Sequence, residues 1–430
     1  MIAAIGNFGA LFLSIGILFA GNGLQNTLVA VRANLESFST TMIGLLVAGY
    51  AVGFVLGCMA TPWMVKRAGH IRAFSVLTAM ASTASIIHVL AIDSVVWWML
   101  RSLTGFCFAG LYMVIESWLN EQSTNENRGR VLSIYATINH VSVVIGQFIL
   151  PLADPLAFTL FGIVSVLISL ALVPVALTAK LQPAAPQSVR LRLGMLIRVS
   201  PLGFFGCFMS GMATGAYWGL APVYAQARGL TVDQVAMMIS IAIIGAAIAQ
   251  WPIGKLSDVL DRRVVLVTVT GLCTLSAGGV VYFGGSHLGM LLLTIFIYGA
   301  LSFPIYALAV AHANDHMDRG DFVTGSSGLL LTYGIGAVAG PIIASTMMDH
   351  IHFQMLFGFT GTCYLILMLF GIRRMSQRQS PPMVDQAPFV VAVPQATLTT
   401  ELDPRSDESP DDMPPDGDAT AADVTETAAP

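Results

Sequence analysis

The chain has 430 residues, 55% of them hydrophobic and only 10% charged, with a mean hydropathy of +0.76. Soluble domains carry about a quarter charged residues, so this composition excludes the soluble enzyme classes and specifies a polytopic membrane protein. The net charge of −4 divides unevenly: residues 379–430 hold eleven acids and one base, Arg405, whereas the first 378 residues hold nineteen bases and thirteen acids.

The N-terminus has no basic leader, and its first apolar run is longer than a signal-peptide core, so a retained helix is expected. Hydropathy places twelve spans at about 8–31, 41–65, 71–92, 95–119, 129–151, 155–178, 200–224, 234–254, 263–284, 288–312, 323–348 and 352–373. The longest interruption, 179–199, divides them six and six. The expected organisation is a bundle over 1–178, a cytoplasmic linker over 179–199, a second bundle over 200–375 and a disordered acidic tail over 376–430. The five cysteines show no paired spacing and read as small core residues.

Span 1 carries Asn22, Gln25 and Asn26 on one helical face. The matching positions of span 7 are Thr214, Tyr217 and Trp218, 192 residues on. The two faces either line a shared cavity or bond neighbouring helices and the membrane interface. Span 2 repeats glycine at 49, 53 and 57, and span 7 at 211, 215 and 219, a spacing that lets backbones approach closely.

Span 4 holds Arg101, Tyr112 and Glu116. Arg101 and Glu116 are about 22 Å apart along a helix axis, too far to pair. Each needs another partner or water; Glu116 can alternatively hold a proton or reach the inner headgroups. Span 5 presents Ser133, Thr137, His140 and Gln147 along a stripe, with His140 near its midpoint. That histidine can bond across helices or relay protons. At the end of span 10, His312, Asp315 and His316 have metal-ligand spacing but read as a hydrated turn, since Asp318, Arg319 and Asp321 follow. No nucleotide-binding or hydrolase motif is present.

Residues 299–315 align without a gap to 105–121, 194 residues earlier. Gly105 meets Gly299, Tyr112 meets Tyr306, Asn120 meets Asn314 and Glu121 meets Asp315; Gly340 repeats Gly146 at the same offset. Such a repeat specifies two similar bundles with a site between them. Sixteen basic residues fall on one side of the spans, and only Arg32 and Arg228 on the other. Both termini are therefore expected in the cytoplasm.

These features resemble the major facilitator superfamily, in particular its YcaD-like branch of bacterial transporters, over about residues 8–375. The loop Gly254-Lys-Leu-Ser-Asp258-Val-Leu-Asp261-Arg262-Arg263 is similar to the superfamily's G-x-L-x-D-R-x-G-R-R latch. The resemblance gives Gly254, Asp258, Asp261, Arg262 and Arg263 gating roles. The first-half copy retains Arg67, Gly69 and Arg72, but Lys66 stands where the acid belongs. Arg101-x-x-x-Gly105 resembles a span-4 arginine motif associated with proton coupling, and ESWLN at 116–120 resembles the YcaD-like branch. The fifth-span Gly-Pro pair associated with antiport is absent, because Gln147 follows Gly146.

The expected fold is an all-α integral membrane protein, with twelve transmembrane helices in two pseudo-symmetric six-helix bundles. The expected function is secondary transport of a small molecule across the bacterial inner membrane by alternating access, coupled to protons. The expected substrate-binding residues are Asn22, Gln25, Asn26, Arg101, Tyr112, His140, Gln147, Tyr217 and Trp218. Glu116, Arg101 and His140 are the proton-coupling residues. A monomer in the lipid bilayer, without enzymatic activity, cofactor, metal or nucleic-acid partner, is expected. An uncoupled facilitator, or a sensor or scaffold using the acidic tail, are the alternatives.

Overall fold

A computed structural model describes residues 2–124, 127–177, 193–284, 287–317, 322–377 and 389. Most of the linker 179–199 and nearly all of the tail 376–430 lie outside the described residues. Among those described, every regular element is helical. The first six spans are α1 (Ile2–Leu35), α2 (Thr40–Ala68), α3 (His70–Leu90), α4 (Ser94–Glu121), α5 (Arg128–Ile149) and a sixth in two pieces, α6 (Thr159–Leu170) and α7 (Leu172–Ala176). After the short α8 (Leu193–Val199) come α9 (Pro201–Ala227), α10 (Val232–Val259) and α11 (Arg262–Phe283). The tenth span is α12 (Leu288–Ser302) plus α13 (Pro304–Asn314), followed by α14 (Phe322–His350) and α15 (Met355–Met375).

Local chemistry sets the helix starts. The Ser39 side chain accepts from the Met42 N–H, and Asp93 accepts from the N–H groups of Val95 and Val96. Thr231 and Gln234 form a reciprocal capping box. These caps satisfy donors that a helix start leaves without partners. Between α2 and α3 the chain turns on one residue, Gly69, at φ 81°, a conformation that a side chain disfavours.

Among the described residues, eleven helical stretches are long and apolar enough to cross a membrane. The remaining span, α9, is equally long but carries five glycines together with Tyr217 and Trp218, which lower its hydropathy. Nineteen of its 27 residues are buried, so it needs small residues for packing more than large ones for lipid. Large exposed side chains such as Leu56, Met59, Ile145, Phe148 and Leu275 supply the lipid-facing surface elsewhere.

The packing repeats. In the first half α1 packs on α5 and α6, α2 on α4, and α3 on α4 and α6; in the second, α9 packs on α14 and α15, α10 on α12, and α11 on α12 and α15. The same glycines make the same approaches in both halves. A Cβ at Gly105 would run into the Tyr50 carbonyl, and one at Gly299 into the Ala242 carbonyl. Gly53 lies against the Ser102 carbonyl as Gly245 does against Phe296, and Gly146 against Ala20 as Gly340 does against Met212. Each pair differs by the offsets of 192 and 194 read from the sequence. The halves differ at Gly110, where the second half has Pro304; the tenth span breaks there into α12 and α13, because proline lacks the N–H that would continue the ladder.

The halves meet along α2 with α14, α5 with α10, and α1 with α9. Thr41 donates to Asp349 at 2.9 Å, Gln226 donates to the Val31 carbonyl at 3.3 Å, and Val47 packs over Gly219. All three contacts lie toward the end where α1 and α9 finish, opposite the arginine-rich loops. At that same end Arg32 is buried, paired with Glu36 at 3.0 Å and donating to the carbonyls of Pro155 and Leu156.

Candidate functional site

Two asparagines one turn apart on α1 face α4, and their amides connect two groups that α4 holds three turns apart. The Arg101 guanidinium donates from Nη2 to Asn26 Oδ1 at 2.8 Å. Asn26 Nδ2 donates to Asn22 Oδ1 at 3.3 Å, and Asn22 Nδ2 donates to the Tyr112 hydroxyl at 2.7 Å. Arg101 also lies over the ring of Tyr50 from α2, with Cζ 4.5 Å from its centroid. Arg101, Asn22 and Tyr112 are buried, whereas Asn26 and Tyr50 keep partial exposure. The other nitrogen of the guanidinium, Nη1, has no hydrogen-bond partner.

One turn beyond Tyr112, Glu116 is fully buried and accepts a 2.8 Å hydrogen bond from the Tyr135 hydroxyl of α5. The carboxylate thus sits between helices rather than at the headgroups. Phe19 touches both tyrosines, with ring centroids 5.0 Å from Tyr112 and 5.7 Å from Tyr135. Phe19 therefore contacts one tyrosine of the amide chain and the tyrosine that bonds the carboxylate.

The other polar residues of these helices are placed differently. Gln25 turns toward α3 and donates to Ser85 at 2.9 Å. Gln147 accepts from Thr27 at 2.8 Å and donates to the Gly23 carbonyl at 3.0 Å, joining α5 to α1. His140 is half-buried, with Nδ1 bonded to the Ala136 carbonyl of its own helix at 2.7 Å. In the second half Tyr217 is buried among Tyr298, Phe303 and Phe357, while the half-buried Trp218 lies against Phe303 at 5.3 Å. Thr214 shares a 2.8 Å hydrogen bond with the Tyr333 hydroxyl.

At the arginine-rich end, Arg262 joins three elements. It pairs with Asp258 at 3.2 Å and with Asp315, just beyond α13, at 2.7 Å. The Asp315 side chain is 2% exposed, so the expectation of a hydrated turn at His312, Asp315 and His316 is corrected for its acid, which the ion pair withdraws from water, while His316 keeps partial exposure. His312 is also buried, with its ring 4.7 Å from that of His316. Asp261 caps α11 through the Arg263 N–H and pairs with the Arg263 side chain at 2.7 Å. Asp258 also accepts from the backbone N–H of Phe389 at 2.7 Å, and the Phe389 ring covers Gly254. At the matching first-half junction Lys66 replaces Asp258 and His70 replaces Arg262. There His70 is buried against Trp118, Arg67 lies over Trp63 at 5.6 Å, and Arg72 is exposed.

Sequence reasoning singled out Arg101, Asn22, Asn26, Tyr112 and Glu116, which the fold brings to one region of the first bundle. It missed Tyr50 and Tyr135, which reach Arg101 and Glu116 from other helices. No spacing within one helix could announce either contact. Asp315 was signalled by its repeat relationship to Glu121 and by its spacing from His312 and His316, neither of which points to Arg262.

The family model of the Major Facilitator Superfamily matches residues 11–326 and 203–399. An MFS-type transporter named YcaD from Escherichia fergusonii is 26% identical over 375 residues, covering 87% of this chain and 96% of that protein. An MFS-type transporter of Enterobacter sp. strain 638 is likewise 26% identical over 375 residues, with the same coverage of each chain. Among solved structures, the nucleoside transporter NupG superposes with a TM-score of 0.74 at 11% identity, over 86% of this chain and 99% of that one. A bacterial homologue of the lysosomal transporter Spinster, inward-facing and occupied, gives 0.69 at 15% identity, over 87% and 98%. These two likenesses establish the shared fold.

Proposed function

The chain belongs to the major facilitator superfamily, and from that membership we propose that it is a proton-coupled secondary transporter of a small molecule in the bacterial inner membrane. The observation that carries this reading is the buried polar chain Arg101–Asn26–Asn22–Tyr112. Polar and charged groups within a membrane are costly and border substrate or ion routes. This chain lies on α1 and α4, and α1 meets α9 across the seam between the bundles, where two rocking halves expose a cavity alternately.

In this mechanism Asn22, Asn26, Arg101 and Tyr112 line the first-bundle side of the cavity, and Trp218 and Tyr217 line the second. Gln25 and Gln147 hold α1 against its neighbours and so fix the cavity wall. Glu116 carries the proton, and His140 is a second proton-handling group on α5. Gating falls to Asp258, Asp261, Arg262, Arg263 and Gly254 at one junction, and to Arg67, Gly69 and Arg72 at the other. With the basic loops in the cytoplasm, the cross-bundle contacts at Thr41, Val47 and Gln226 close the outer end.

Proteoliposomes should accumulate a compound that raises the protein's melting temperature when an inward proton gradient is imposed. With Glu116→Gln, gradient-driven accumulation falls to background while exchange of labelled for unlabelled compound persists. Full accumulation by this variant removes Glu116 from the coupling mechanism. Accumulation by the unaltered protein that is indifferent to collapse of the gradient indicates an uncoupled facilitator.

The same assay separates transport from a scaffold role for the acidic C-terminal region. Truncation after Arg378 should preserve uptake. If uptake by the full chain is never observed and truncation instead releases a bound protein, the transport reading fails.

A further inference from the structure

Three arginines are almost fully buried among the described residues: Arg32, Arg101 and Arg262. Two have an acid at hand. Arg32 pairs with Glu36, and Arg262 pairs with both Asp258 and Asp315. Arg101 differs. Its described partners are a neutral amide, Asn26, and the face of Tyr50, and its Nη1 bonds to nothing. The buried acid on the same helix, Glu116, is about 22 Å away along the axis.

A guanidinium remains protonated under all ordinary conditions. An amide and a ring face do not replace the water that a buried cation gives up, and buried charges are otherwise paired. The site thus has one positive charge in excess and one N–H edge without a partner. Its neighbours Asn26 and Tyr50 retain partial exposure, so the covered Nη1 lies beside groups that solvent reaches. Among the described residues, Arg101 is also the one Lys or Arg that lies more than five residues from either end of its span. One isolated cation matches one negative charge; a phosphate dianion would require a second.

We propose that Arg101 is the counter-charge for a monoanionic organic carboxylate, which is the substrate class of the transporter. The carboxylate accepts from Nη1, and the Tyr50 ring flanks the bound group. This inference rests on the transport reading given above and adds the charge of the cargo to it.

The test uses the purified full-length chain and three variants: Asn26→Asp, Arg101→Gln and Arg101→Lys. The melting temperature of the ligand-free Asn26→Asp protein should rise, because the new carboxylate neutralises Arg101. A fall shows that the guanidinium was already compensated and overturns the proposal. The unaltered protein is then screened against C2–C8 monocarboxylates, their amides and inorganic phosphate. At least one carboxylate should raise the melting temperature while its amide does not. Arg101→Gln should weaken that response about tenfold or more, the usual consequence of losing a charge-assisted contact. Arg101→Lys should restore part of it, and Asn26→Asp should lose it. No response across the carboxylates, an equal response to an amide, a response to phosphate alone, or an undiminished response in Arg101→Gln overturns the proposal. A responding carboxylate that shows no saturable flux in proteoliposomes leaves the anion site standing and removes the transport reading. A neutral compound carried with no dependence on Arg101 does the reverse.

Discussion

Gly105→Val and Gly299→Val should each eliminate most of the folded protein, with similar severity. In each case the new side chain meets a backbone carbonyl of the neighbouring helix, that of Tyr50 or Ala242. A flexible side chain could rotate away, but a carbonyl held in a helix moves only with the helix. Overpacking a well-filled core by a methylene costs about 1–3 kcal/mol, and a collision between backbones lies at or above the top of that range. Gly278→Ala is the control, since nothing lies within 4 Å of an added Cβ there. Size-exclusion yield and melting temperature in detergent measure the effect. Because the two glycines make equivalent contacts in the two halves, matched losses test the internal repeat directly. A Gly105→Val protein that melts within a degree of the parent shows that α2 and α4 do not pack as described.

Asp315→Ala should be the most damaging change at the arginine-rich end, and clearly worse than Asp258→Ala. Both acids pair with Arg262, but the side chain of Asp315 is 2% exposed and that of Asp258 is 36% exposed. Removing one member of a buried pair costs roughly 3–5 kcal/mol, because the remaining charge stays out of water. A partly solvated pair contributes about 0–1 kcal/mol. The remaining Asp258 contact brings the Asp315→Ala loss toward the lower figure. Arg262→Met combined with Asp315→Leu should recover stability relative to either single change, since it leaves no buried ion behind. Equal losses at the two acids would mean that Asp315 is solvated and that α11 is not tied to the end of α13.

The spans were legible because partition into lipid depends on local composition, which a sequence displays directly. The repeat was legible for a related reason: glycines at fixed offsets mark close approaches, and those approaches recur in both halves. Even α9, whose glycines hold its hydropathy below that of the other spans, was read from hydropathy as a span over 200–224. The site was only partly legible. Asn22, Gln25 and Asn26 share a helical face in sequence, yet Gln25 bonds to Ser85 on α3 while Asn26 bonds to Arg101 on α4. A face about 100° wide meets more than one neighbour, and spacing along one helix cannot say which.

By itself the sequence determined a membrane protein of two repeated helical bundles, the gathering of its basic residues at one end of the spans, and the few polar groups that the spans contain. Only the tertiary structure decided which of those groups meet: Arg101 with Asn26 and Tyr50, Glu116 with Tyr135, and Asp315 with Arg262. The physical reason is that insertion into lipid follows the hydrophobicity of one segment at a time. Neutralising a buried charge instead requires atoms from different segments within about 3 Å of each other, a distance that folding alone fixes.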